Sequence, residues 1–530
     1  MKKIGLIWSL LLAITVCSYG QMPDMSKRFE EFKKQQNQRF DTFKVSQQAK
    51  FDAFRKEQNE KYAEFMKNSW ERFNAHPAVK PIEEKPVPPV VYEEPAPAPT
   101  PAPEPDVAPT PAPTPQTAPK VEPKPTPSPQ PSPKGEPKPI VVKEEVIQVP
   151  KPQPAPEPIA PVEPKKELPH KPYAISFYGT FVSVGFPTND AFKLEGLSEE
   201  QLAKAWTQLS SEAYDVTLNN VLAMRKNLSL CDWGYVEMLQ AISEKRYGKT
   251  NEAVFMQAFL LSQSGYKIRL ATDNSKLYVL VASQYNIFSI PYYEISGTKF
   301  YPLNCTSKQL YICKASIDKE KAISLQLSKE QNLDTELTNP RKLTSKYGVT
   351  VHVAVNKNTI DFFNHYPSAY IGNDVTTKWV VYANTPLDKS IKNTLYPALK
   401  KQIAGLNERD AVNKILNFVQ TAFVYEYDDK VWGSDRAFFA AETLYYPYAD
   451  CEDRSILFSR LVRDIVGLDV VLLYYPGHLA TAVAFNQDVQ GDYLTYKNRK
   501  FIVCDPTYIG APLGRTMTGM NNQQAQIVVL

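Results

Sequence analysis

A large surplus of charge of one sign is missing from this chain. It carries 61 basic and 57 acidic side chains over 530 residues, a net charge of +4. That balance excludes an electrostatic nucleic-acid binder, which needs a basic surplus gathered on one face. Cysteine is scarce, at six, one of them near the N-terminus, which is too few for a fold built on disulfides. Cys305 and Cys313 lie eight apart in a strand-rich stretch, spaced to pair or to stay buried as thiols. Long apolar runs are also missing. Only Ile4 to Val16 comes close, preceded by Lys2 and Lys3 and followed by Ser18-Tyr19-Gly20. It falls short of the ~20 apolar residues of a membrane helix. The layout is that of a signal peptide over residues 1–20, cut before Gln21. The bulky Val16 before Cys17 fits lipidation less well. The expectation is export across the inner membrane to a periplasm or cell envelope.

What is present begins with a repeat in residues 21–76. Aromatic pairs start at Phe29, Phe40, Phe51 and Tyr62, a step of 11 residues. Eleven residues per three turns is about 3.67 per turn, so one aromatic stripe runs straight along a helix. Residues 26–74 would extend roughly 70 Å. A lone helix with such a stripe wants a partner. Self-association as a homo-oligomer is the first expectation, and peripheral contact with a membrane surface the second. Most of the 45 prolines then fall in residues 77–172, among small and charged side chains. Such composition builds no core and favours polyproline II, so a disordered spacer is expected.

Residues 173–530 are long enough for two domains. Helical patterns followed by clustered strand runs predict an α+β fold, divided into 173–315, a strand-rich connection at 316–377, and 378–530. In "YYPYADCEDRSILFSRLV", Phe458, Leu461, Val462 and Ile465 recur as a helix stripe, with Asp450 and Asp453 where helix-start anions belong. Cys451 therefore opens a helix. It is either a small packing residue or a nucleophile. The helix should stop at Gly467, followed by the strand "LDVVLLYY" ending in Pro476-Gly477-His478, then a second strand "LATAVAF" and a third, "RKFIVCDPTY", that carries Asp505. A thiol nucleophile needs a base and a carboxylate to orient it, and this order supplies all three from separate elements. His478 is one of only five histidines.

"ADCEDRSILFSRLVRDIVGLDVVLLYYPGH" followed by "FIVCDPTY" resembles the core of the transglutaminase-like superfamily, over about residues 378–530. The resemblance implies a papain-like, transglutaminase-like core of a helix and an antiparallel sheet. It further implies Cys451 as nucleophile, His478 as base and Asp505 as orienting carboxylate. No Trp follows His478, which leaves the oxyanion donor open among the Cys451 N–H, Trp432 and Tyr425. The helix start and His478 should lower the thiol pKa, with Asp450, Glu452 and Asp453 opposing. Nothing in the motif asks for a metal or cofactor.

The implied activity is an exported cysteine peptidase or amidase acting on peptide or amide bonds. A cross-linking transamidase and a non-catalytic envelope assembly protein are the alternatives. Finally, "TNEAVFMQAFLLSQSGYKIRL" echoes "DRSILFSRLVRDIVGLDVVLL", with Gly265 matching Gly467. Counted from those glycines and from the Lys-Phe pairs at 299 and 500, Lys249, Lys276 and Asn304 match Cys451, His478 and Asp505. Residues 173–315 are therefore expected to be a degenerate second copy, with Lys249 at a helix start.

Overall fold

The computed structural model describes residues 22–81, 86–93, 139–140, 154–162, 169–188, 192–303, 305 and 307–530. The expected signal peptide and Asn304 lie outside them. The chain is α+β, with helices packed on two antiparallel-based sheets. Among the described residues no helix is long and apolar enough to cross a membrane.

Helix α1 (Met22–Met66) carries the aromatic repeat, and strand β1 (Trp70–Asn74) follows it. β2 (Pro139–Ile140) comes from the proline tract. Then come α2 (Glu199–Leu209), α3 (Asp232–Tyr247), α4 (Asn251–Gln263), β3 (Ile268–Thr272), β4 (Leu277–Ala282), β5 (Tyr293–Ile295), β6 (Thr298–Pro302) and β7 (Gln309–Cys313). The later part holds α5 (Glu408–Ala422), α6 (Cys451–Leu461), β8 (Asp469–Tyr475), β9 (His478–Ala484), β10 (Tyr493–Tyr496), β11 (Arg499–Cys504) and β12 (Gln526–Val529).

The first sheet runs β1-β7-β3-β4-β6-β5 and the second β12-β8-β9-β11-β10-β2. Without the edge strands β1 and β2, both thread five consecutive strands in one order: fifth, first, second, fourth, third. Their registers agree as well. Thr272 pairs Leu277 as Tyr474 pairs Leu479, and Ala282 pairs Phe300 as Ala484 pairs Phe501. Tyr311 faces Thr272 as Gln526 faces Tyr474, and Tyr293 faces Phe300 as Leu494 faces Phe501.

Three expectations need correction. Residues 26–74 are not one continuous helix, since α1 ends at Met66 and residues 70–74 form β1. β1 pairs along β7, and the end of α1 is docked, with Arg55, Asn59, Tyr62 and Met66 buried. Tyr62 lies 4.4 Å from Trp206 between ring centroids, and Arg55 forms a buried 2.7 Å ion pair with Asp215. The proline tract is not wholly a spacer, since residues 86–93, 139–140 and 154–162 pack on the globular part. Ile159 N–H, for example, donates to the Gln263 carbonyl at 3.1 Å. Lys249 is not in the helix start, because α4 begins two residues later at Asn251. The count from the glycine is displaced because a π-helical turn (Val462–Val466) lengthens the stretch between Cys451 and Gly467.

Candidate active site

Cys451 is the first residue of α6. Asp450 caps it, its carboxylate accepting from the N–H groups of Glu452 and Asp453, while Asp453 reaches back to the Asp450 N–H. Phe458, Leu461 and Val462 of the predicted stripe are buried and Ile465 is half-buried, but every residue from Cys451 to Ser459 is buried as well. The helix is central, wedged between β9, α5 and the short helix Trp379–Asn384. Its polar side chains are therefore satisfied internally, as burial requires. Ser455 Oγ donates to the Leu479 carbonyl at 2.8 Å. Arg454 donates to the carbonyls of Ala449, Gln420 and Phe423 at 3.0–3.1 Å. Burial pulls its pKa down to about 10.

β8 ends at Tyr475, the chain turns through Gly477 at φ +74°, and His478 opens β9. Its Nε2 donates to Asp505 Oδ2 at 2.9 Å, both side chains being buried. The other Asp505 oxygen accepts from Thr507 N–H at 2.8 Å and Tyr508 N–H at 3.2 Å. That leaves His478 Nδ1 buried without a hydrogen bond. Cys451 and His478 line one narrow cleft of about 50 Å³, together with Trp379, Tyr474, Gly477 and Pro86. The three predicted residues are thus brought together, with thiol and imidazole in one cleft but not hydrogen-bonded.

The expected lowering of the thiol pKa is overturned. Burial pushes the Cys451 thiol well up, and the carboxylates of Asp450 and Glu452 push it further. The Leu479 N–H works the other way without prevailing. The helix-start field is outweighed chiefly by burial of the thiol, to which the neighbouring carboxyl groups add.

Of the proposed oxyanion donors, Tyr425 is half-buried and near enough to feel the thiol's charge. Its hydroxyl has no hydrogen-bond partner, and Cys451 and Asp450, after burial itself, raise its pKa. Trp432 instead packs on Phe438 and Tyr446, with Arg436 over its ring.

Two groups escaped the sequence reading. Gln420, 1% exposed on the inner face of α5, donates to the carbonyls of Asp505, Tyr508 and Ala511 at 2.8–3.0 Å. It pins the loop that carries the orienting carboxylate. A polar residue continuing the buried Val412–Leu416 stripe by one turn was the available signal. The second is an acidic cluster: Asp428, Asp435 and Glu452 bring one carboxylate oxygen each within 4.8 Å of one another. Among the described residues, these are the ones that could hold a cation. Lys378 supplies a counter-charge, 2.7 Å from Asp435 and 3.7 Å from Glu452. Burial raises Asp428 to about 7 and both Asp450 and Glu452 to about 8.

The arrangement has the parts for nucleophilic acyl transfer: a thiol, an oriented imidazole with a free nitrogen, and an unpaired hydroxyl. No family model, curated protein or solved structure matches this chain.

Proposed function

We propose that the chain is an exported cysteine hydrolase of transglutaminase-like type, a peptidase or amidase working through an acyl-enzyme on Cys451. The observation that carries the reading is the buried His478–Asp505 pair, which keeps Nδ1 free in the cleft that holds the thiol. In the proposed cycle the Cys451 proton passes to His478 Nδ1 as sulfur attacks an amide carbonyl. Tyr425 O–H, which has no hydrogen-bond partner, and the Cys451 N–H would receive the oxyanion. Collapse breaks the C–N bond, and the imidazolium returns the proton to the departing amine. Water, deprotonated by His478, then cleaves the thioester to a carboxylic acid and free thiol.

The shared strand order and registers of the two sheets support reading residues 173–315 as a second copy without a nucleophile. A non-catalytic role in envelope assembly is the second reading, favoured by the raised thiol pKa and the narrow cleft. The test is mass spectrometry of the full chain after incubation with peptide and cell-wall libraries. A hydrolase gives acyl adducts on Cys451 and free carboxylate products, and an added amine would be incorporated by a transamidase. Cys451→Ala abolishes both, His478→Ala is nearly as severe, and Asp505→Asn loses on the order of 10⁴ by favouring the wrong tautomer. Turnover persisting in Cys451→Ala would end the assignment.

A further inference from the structure

We infer that residues 86–92, from the proline tract, occupy a peptide groove over the Cys451 cleft as a tethered competitor. The groove is then built for extended apolar peptides. The substrate part of this inference rests on the hydrolase reading; the occupancy part does not.

The segment, "PVPPVVY", straddles the ends of the two strands that carry the base and the carboxylate. At one end Pro86 lines the cleft beside Cys451 and His478. Val87 N–H donates to the carbonyl of Gly477, the residue before His478, at 2.9 Å. At the other end the segment bridges the loop after Asp505 in parallel fashion. Ile509 N–H donates to the Val90 carbonyl at 2.8 Å, and Tyr92 N–H to the Ile509 carbonyl at 2.9 Å. Over residues 90–92 side chains alternate inward and outward as in a bound strand. Val90 and Tyr92 join Val87 against Tyr508, Ala511, Met517 and Met520, while Val91 is 66% exposed. Tyr92 meets Tyr508 edge-on at 5.5 Å.

Backbone bonds supply grip and alternate side chains supply selectivity, as in strand addition to a receptor edge. The two donated N–H groups belong to Val87 and Tyr92, so Pro88 and Pro89 fall where no donor is used. Proline also holds the segment extended before it docks, which lowers the entropy cost of binding. The methionine-edged floor suits varied apolar side chains. With this segment in place Cys451 is only 6% exposed, so an acyl donor must displace it.

The test reads thiol accessibility and needs no turnover. The full chain is treated with iodoacetamide, and modification of Cys451 is followed by mass spectrometry of its peptide. Replacing Val87, Val90 and Tyr92 by Ser should raise the rate about tenfold or more, as a docked minor-access state is released. Val91→Ser, altering an outward side chain, should leave the rate unchanged. Adding the peptide acetyl-PVPPVVYE-amide to the triple variant should restore protection. An unchanged rate in the triple variant, or no protection by the peptide in a variant whose circular dichroism matches the parent, overturns the inference. A hydrolase assignment that fails while protection holds would leave the groove standing and remove only its substrate.

Discussion

A thiol enclosed by Asp450 and Glu452 carries its proton through the neutral range, and attack requires the thiolate. The sign follows directly. A raised pKa leaves only a small ionised fraction, which grows about one decade per pH unit until the pKa is reached. Alkylation of Cys451 should therefore climb steadily through neutral pH without a plateau. Asp450→Asn and Glu452→Gln remove negative charge while keeping their side-chain shapes, so each should move the plateau towards neutrality. A wild-type profile already flat near neutral pH would refute this electrostatic account. The positions of Cys451, His478 and Asp505 were legible because a thiol, an imidazole and a carboxylate stand at the ends of successive elements. The charge environment was not. Asp428, Asp435 and Lys378 reach Glu452 only through a loop and a neighbouring helix, and no local pattern announces such long-range contacts. Gln420 stood within a helical stripe, but its three carbonyl partners come from a loop some ninety residues on.

Among elements, α1 shows how one periodicity can serve two ends. Phe29, Phe32, Phe40, Phe43 and Phe65 remain more than half exposed, whereas Arg55, Asn59, Tyr62 and Met66 are buried. Asn59 exchanges hydrogen bonds with Gln263 at 2.7 and 3.1 Å and accepts from Trp206 Nε1 at 2.9 Å. The eleven-residue repeat correctly implied an aromatic stripe. It concealed the docking because Tyr62, which opens the stripe's last pair, is buried together with Arg55, Asn59 and Met66 against partners that lie far away in sequence. The stripe and the anchor should separate experimentally. Replacing Phe40, Phe43, Phe51 and Phe54 by Ser should abolish self-association in sedimentation while leaving the thermal midpoint nearly unchanged. Tyr62→Ala should do the reverse, costing about 3 kcal/mol or more of stability through lost packing on Trp206. Monomeric wild-type chain that binds lipid vesicles through α1 would turn the stripe into a membrane face.

At the scale of the whole molecule, the two sheets pose a question of coincidence. Any helix–glycine–strand unit would share an order of elements with another. Register is a stricter property, because each strand pair can slip, and a slip of one residue turns every side chain to the opposite face. Four pairings agree between the sheets, and the equivalence they define puts Leu277 on Leu479 and Lys276 on His478. The helix starts then correspond too. Leu479 directs its N–H at the Cys451 sulfur, and Leu277 donates its N–H to Asn251 Oδ1 at 2.9 Å. An amide oxygen thus takes the place of the thiol, with Glu252 after it as Glu452 follows Cys451. Asn251 cannot form a thioester, so if the two halves are copies, the first could contribute only structure or non-covalent binding. A cleft of about 750 Å³ opens there, lined by Lys249, Asn251 and Lys276. Asn251→Ala should cost about 1–3 kcal/mol by leaving the Leu277 N–H without its partner. The same change should leave iodoacetamide modification of Cys451 at its parental rate, as should Lys249→Ala and Lys276→Ala. A large loss of Cys451 reactivity in a folded Asn251→Ala variant would mean that the two copies share one site. An experimental structure with any of the four pairings displaced by a residue would dissolve the equivalence itself.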